Sequence, residues 1–226
     1  MKNIIIKNII TSIITLFIGI STVVVACLYI FQKLEPETPA SATAAGFYFF
    51  QYYTSDSNVL VGISSFVICA FAIKNIMQKR DEMPMWLIVL YAIFVTGTTV
   101  TFLTTALFLG PSAAMNGSYY FIMFEGKLFF LHFLNPVLAI ITLVFFVNHH
   151  PLTWKHAILC MATVVVYSFV YSPLVLTGVW KDFYGFTFGG RLGLAAITFF
   201  VMWGVGLGTG FLLTFLHNLY YQKSHK

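Results

Sequence analysis

The chain has 226 residues, of which 59% are hydrophobic and 8% charged, with a formal net charge of +5. A soluble domain carries about a quarter of its residues as charges, so the composition excludes a water-soluble globule and makes the bilayer part of the solvent. Cys27, Cys69 and Cys160 are widely spaced inside apolar segments, which excludes a disulfide framework and reads as packing.

A span needs about 20 mostly apolar residues. Six segments qualify, at 9–31, 47–73, 84–109, 128–147, 154–176 and 192–216. They predict an all-α, polytopic membrane protein: a single domain over 1–226, built as a bundle of six transmembrane helices. The first connection, at 32–39, is a polar linker with Pro36 and Pro39; the others are short.

Met1-Lys2-Asn3 before an apolar run resembles a signal peptide, with Val24-Val25-Ala26-Cys27 as a loose cleavage box. The run outlasts the usual h-region of about 7–15 residues, so it is expected to stay as the first span.

Positive charge orients the bundle. Lys2, Lys7, Lys74, Lys79, Arg80, Lys155, Lys223 and Lys226 fall on one side, against Lys33, Lys127, Lys181 and Arg191 on the other. This predicts both termini in the cytoplasm. It also explains the net charge without nucleic acid.

The second segment opens on Tyr52-Tyr53-Thr54-Ser55-Asp56-Ser57-Asn58. Ionisable groups inside spans are costly and mark candidate sites. Asp56 is the single acid within a predicted span. With the helix starting at 47, Thr54 lies about 10 Å deep at ~1.5 Å per residue. Helical spacing puts Gln51, Thr54, Ser55, Asn58, Gly62 and Ser65 on one face, and turns Asp56 away toward Tyr52, Val59 and Leu60.

On the third segment, Thr101, Thr104 and Thr105 are expected in the same outer half. The fourth places His132 about 7–8 Å deep by the same rise, on a face with Asn135, Pro136 and Ala139. Pro136 frees the His132 carbonyl. Tyr171, Ser172 and Thr177 flank Pro173 on the fifth. Together these groups are expected to enclose a cavity, although hydroxyls in spans also bond back to their own helix.

"YYTSDSN", "LHFLNPVLAIITLVFF" and "TWKHAILCMATVVVYSFVYSPLVLTGVW" resemble, in order, the androgen-induced-gene family and its bacterial six-span relatives. Tyr53-Thr54, Ser57-Asn58, Leu131-His132-Phe133, Pro136, Trp154, Tyr167, Tyr171 and Gly178 carry the likeness. It implies a membrane hydrolase of fatty acid esters of hydroxy fatty acids, with Thr54 as nucleophile and His132 as its partner. The chain departs from the family at Thr142, where an acid is common, and at Tyr184-Gly185-Phe186, where a Tyr-Pro-rich stretch is common.

In that reading His132 activates Thr54, giving an acyl-threonine that water then hydrolyses. Asn58, Asn135 and Asp56 are oxyanion or orienting candidates. Gln51, Lys127, Tyr171 and Arg191 are candidate substrate-binding residues, Lys127 and Arg191 for a fatty-acid carboxylate or simply as interfacial charges. The expected partner is a membrane lipid or lipid-like ester, with no cofactor or metal, in a bacterial plasma membrane. The competing expectation is a small transporter or lipid- or proton-sensing protein that uses Asp56 and His132. A scaffolding role has no positive feature behind it.

Overall fold

The computed structural model describes residues 2–32, 46–187 and 190–224. Among these residues six helices are long and apolar enough to span a membrane: α1 Asn3–Ile30, α2 Tyr53–Gln78, α3 Met85–Met115, α4 Gly126–Phe146, α5 Trp154–Leu176 and α6 Leu192–Lys223. The protein is an all-helical, integral multi-pass membrane protein, with no strand among the described residues. Residues 33–39 of the expected linker, with Lys33, Glu35 and Glu37, lie outside the described residues, as do Lys226 and the side chain of Lys2.

α3 is the central helix, packed by α2, α4, α5 and α6, with Leu87, Ile88, Tyr91 and Val95 fully buried. Lipid tails are as apolar as leucine, so close backbone approach and polar ties hold such a bundle more than hydrophobicity does. α1 lies along α2. A Cβ added at Gly62 would fall 2.9 Å from the Thr22 Cβ, so this crossing depends on the missing side chain. At Gly97 on α3, an added Cβ would meet the Thr163 hydroxyl at 3.0 Å and that of Tyr53 at 3.1 Å, which closes α3 onto α2 and α5.

Ser55, Asn58, Gly62 and Ser65 are buried as their spacing predicts. The start of α2 differs from expectation. Residues Gly46–Gln51 form a 3₁₀ helix, and α2 begins at Tyr53. Thr54 is therefore in the first turn of its helix, not seven residues along it. Hydropathy could not separate an apolar 3₁₀ segment from an apolar α-helix.

α3 and α4 contain π turns at Thr105–Leu109, Phe130–Leu134 and Thr142–Phe146. At the bundle end that holds both termini, Asp81 joins three elements. It accepts from Lys7 (3.1 Å), Asn8 (3.3 Å) and His149 Nε2 (2.7 Å). Burial opposes its charge, but the His149 hydrogen bond and the neighbouring His149 and Lys7 outweigh it and hold the carboxyl at about 2. Asn75 extends the cluster, donating to the Asn8 side-chain oxygen and to the Glu82 backbone carbonyl.

Candidate active site at the start of α2

The first N–H groups of a helix have no partner within it. Tyr52 enters α2 with extended backbone and no side-chain cap. The Tyr184 phenol lies against the Thr54 hydroxyl and the N–H groups of Thr54 and Tyr53. Burial pushes this phenol well above its ordinary range, with the Thr54 hydroxyl and the two N–H groups pulling partly back. Tyr184 is a neutral phenol held over the helix start. Tyr167 donates to the Gln51 carbonyl at 2.5 Å just before it.

Thr54 lines a cavity of about 40 Å³ with Thr101, Thr104, Thr105, Tyr184 and Phe186. A water needs roughly 10–15 Å³ of such space, so the cavity takes water and no lipid in this state. The expected grouping of Thr54 with the α3 threonines is present. Tyr171, Ser172, Thr177, His132 and Asn135 do not line it. The Thr105 hydroxyl is buried without a hydrogen-bond partner.

His132 is buried on α4, 2.6 Å from the Met123 carbonyl through Nδ1. A carbonyl only accepts, so Nδ1 carries the hydrogen and Nε2 of the neutral ring keeps its lone pair. The π turn Phe130–Leu134 carries the residue, closed by the Asn135 N–H donating to the Phe130 carbonyl. The Phe124 ring packs edge-on against the imidazole. No hydrogen bond joins His132 to Thr54.

Asn58 connects their two helices. Its amide nitrogen donates to the Thr54 carbonyl at 2.8 Å and to the Leu131 carbonyl at 2.9 Å. Asn135 donates to Thr22 (3.2 Å) and to the Asn58 side-chain oxygen (3.5 Å), and accepts from Ser21 (2.7 Å). Every amide hydrogen of the pair is committed within the bundle, so neither amide offers a donor to an oxyanion in this arrangement. The Met123 carbonyl, not Asn135, orients the imidazole.

The remaining candidates separate. Asp56 points away from Thr54, as its spacing predicts, into a cleft between α2, α3 and α5. Gln51 precedes α2 and receives the Tyr167 hydroxyl through its carbonyl. Lys127 donates to Gln32 at 2.6 Å and sits 4.0 Å over the Tyr29 ring, tied to the end of α1. Tyr171 is fully buried and donates to Asp182 at 2.7 Å. Arg191 is exposed at the entrance to α6.

From the sequence alone neither Asp182 nor Tyr184 has an assigned role. Asp182 organises the loop that carries Tyr184, accepting from the N–H groups of Phe186 and Thr187 (2.8 Å each) and from the Thr187 hydroxyl (2.6 Å). Burial raises its carboxyl, but the hydrogen bonds from Thr187, Tyr171 and Phe186 outweigh this and leave it below the ordinary value. The available signal was weak: an aspartate three residues before Gly185, a composition that favours a turn.

Compared with family models, with curated proteins and with solved structures, the chain matches none of them.

Proposed function

We propose that the protein is an intramembrane lipid-ester hydrolase that cleaves fatty-acyl esters, with Thr54 as nucleophile and His132 as base. It would reside in a bacterial plasma membrane with both termini in the cytoplasm. The observation that carries this reading is the Asn58 amide, which bonds the Thr54 carbonyl and the peptide preceding His132 at once. The helix that carries Thr54 is thereby tied, one turn from the threonine, to the helix that carries His132. The Nδ1–H bond to Met123 supports the base role, because it leaves Nε2 free to take a proton.

Catalysis would begin with Tyr184 leaving Thr54 and the imidazole closing to about 2.6–3.2 Å of the hydroxyl. Thr54 Oγ attacks the ester carbonyl as Nε2 takes its proton. The N–H groups of Tyr53 and Thr54, at the helix start where no intrahelical acceptor is available, stabilise the oxyanion in place of the committed asparagines. His132 returns the proton to the departing alkoxide, then draws one from water, whose oxygen attacks the acyl-threonine. The free acid leaves and Thr54 Oγ is reprotonated.

Turnover of lipid esters by the detergent-purified protein, beside Thr54→Ala and His132→Ala, tests this. The proposal requires both substitutions to remove turnover while the variants stay folded. Equal turnover in all three proteins would reject the assignment. The transporter or sensor reading has less behind it, because Asp56 faces a cleft while His132 lies among Met123 and Phe124. Solute flux into proteoliposomes lost on Asp56→Asn would favour it instead.

A further inference from the structure

The cleft that receives Asp56 has a volume of about 530 Å³, within the ~300–1,000 Å³ range of small-molecule sites. It lies between the first two turns of α2, Ile93 and Phe94 of α3, and the middle of α5. Its length on α5, from Ala162 to Val170, is about 12 Å at ~1.5 Å per residue. Tyr53 and Tyr167 line both this cleft and the Thr54 cavity, and so form a shared wall between them.

Among the described residues Asp56 is the one charged residue that lines the cleft; the hydroxyls of Tyr53 and Thr163 bond each other, and those of Ser57 and Tyr167 are taken by Thr101 and the Gln51 carbonyl. The rings of Phe50, Tyr53 and Trp180 line the cleft together with Asp56, and Leu60, Phe94 and Val166 give it apolar wall. Trp180 lies just beyond the end of α5, where tryptophan marks the bilayer interface. Val166 and Val170, 62% and 45% exposed, leave the groove open toward lipid. Among the described residues no side chain forms an ion pair or hydrogen bond with the Asp56 carboxylate. An interfacial carboxylate flanked by aromatic faces, at the head of a groove that runs into the hydrocarbon, matches an amphiphile with a cationic head.

We propose that this cleft binds a membrane lipid with an ammonium headgroup, one acyl chain in the groove and the ammonium on Asp56. The site is independent of the Thr54 chemistry. It holds whether or not the protein hydrolyses esters.

The test is native mass spectrometry of the full chain in detergent, offered equal phosphatidylethanolamine and phosphatidylglycerol with matched chains. The expected result is one retained lipid, with phosphatidylethanolamine favoured by about tenfold, the scale of one charge-assisted contact. Asp56→Asn should bring the ratio to about one. Leu60→Trp, which fills the groove, should remove the bound lipid of either class. Thr54→Ala should keep the preference, which separates failure of this site from failure of the hydrolase. Equal retention of the two lipids by the unaltered protein, or a preference that survives Asp56→Asn, would overturn the proposal.

Discussion

The side-chain amide of Asn58 donates to the Leu131 carbonyl at 2.9 Å, and so fixes α2 to the peptide that precedes His132. The same nitrogen donates to Thr54 one turn back. Asn58→Ala would strand the buried Leu131 carbonyl and remove an acceptor from Asn135. We expect a loss of about 1–2 kcal/mol, read as a lower unfolding midpoint in detergent. Turnover should fall with it in the proposed mechanism, because the tie between the helix of Thr54 and that of His132 is lost.

Tyr184→Phe keeps the ring and removes the oxygen lying at the start of α2. No hydrogen bond among the described residues holds that oxygen to Thr54 or Tyr53, so the unfolding midpoint should change little. In the proposed mechanism this oxygen must leave before substrate enters. Turnover should therefore be retained or raised, as a steady-state assay on the folded variant would show.

Asp182→Ala removes the acceptor of four hydrogen bonds that shape the Tyr184 loop. Amide exchange should rise across residues 181–187, while α1 and the lower part of α3 stay protected. Unchanged exchange in the loop would mean that its aromatic packing alone holds it.

Asp81 gives a pH dependence with a defined sign. Its folded value of about 2 lies below the ordinary value near 3.8, so its contribution is complete above that ordinary value and disappears as pH falls through about 2. For a half-buried carboxylate, solvent screening reduces this contribution to about 1 kcal/mol. The unfolding midpoint should drop between roughly pH 4 and pH 2, and Asp81→Asn should flatten that drop.

The spans were legible because about 20 apolar residues are a signal set by membrane thickness. Helical spacing also separated Asn58 from Asp56, and the structure buries the first and turns the second into another cleft. The start of α2 was not legible, because the six residues Gly46–Gln51 are as apolar as a span and Gly46 turns the chain at φ +63. Asn58 and Asn135 read as free donors, since sequence shows the amides but not the carbonyls that occupy them. Asp81 and Asp182 act through partners on other segments, in loops where charge is ordinary. Their roles emerge only when Lys7 and His149, or Tyr171 and Thr187, are brought together.

The central claim is that Thr54 is a nucleophile activated by His132. A fluorophosphonate probe tests it most directly, since Thr54 Oγ would attack phosphorus, expel fluoride and leave a stable adduct. The account predicts one adduct by intact mass, mapped to Thr54, absent in Thr54→Ala and strongly reduced in His132→Ala. An adduct that persists in Thr54→Ala, or ester turnover with no labelling of Thr54, would contradict it.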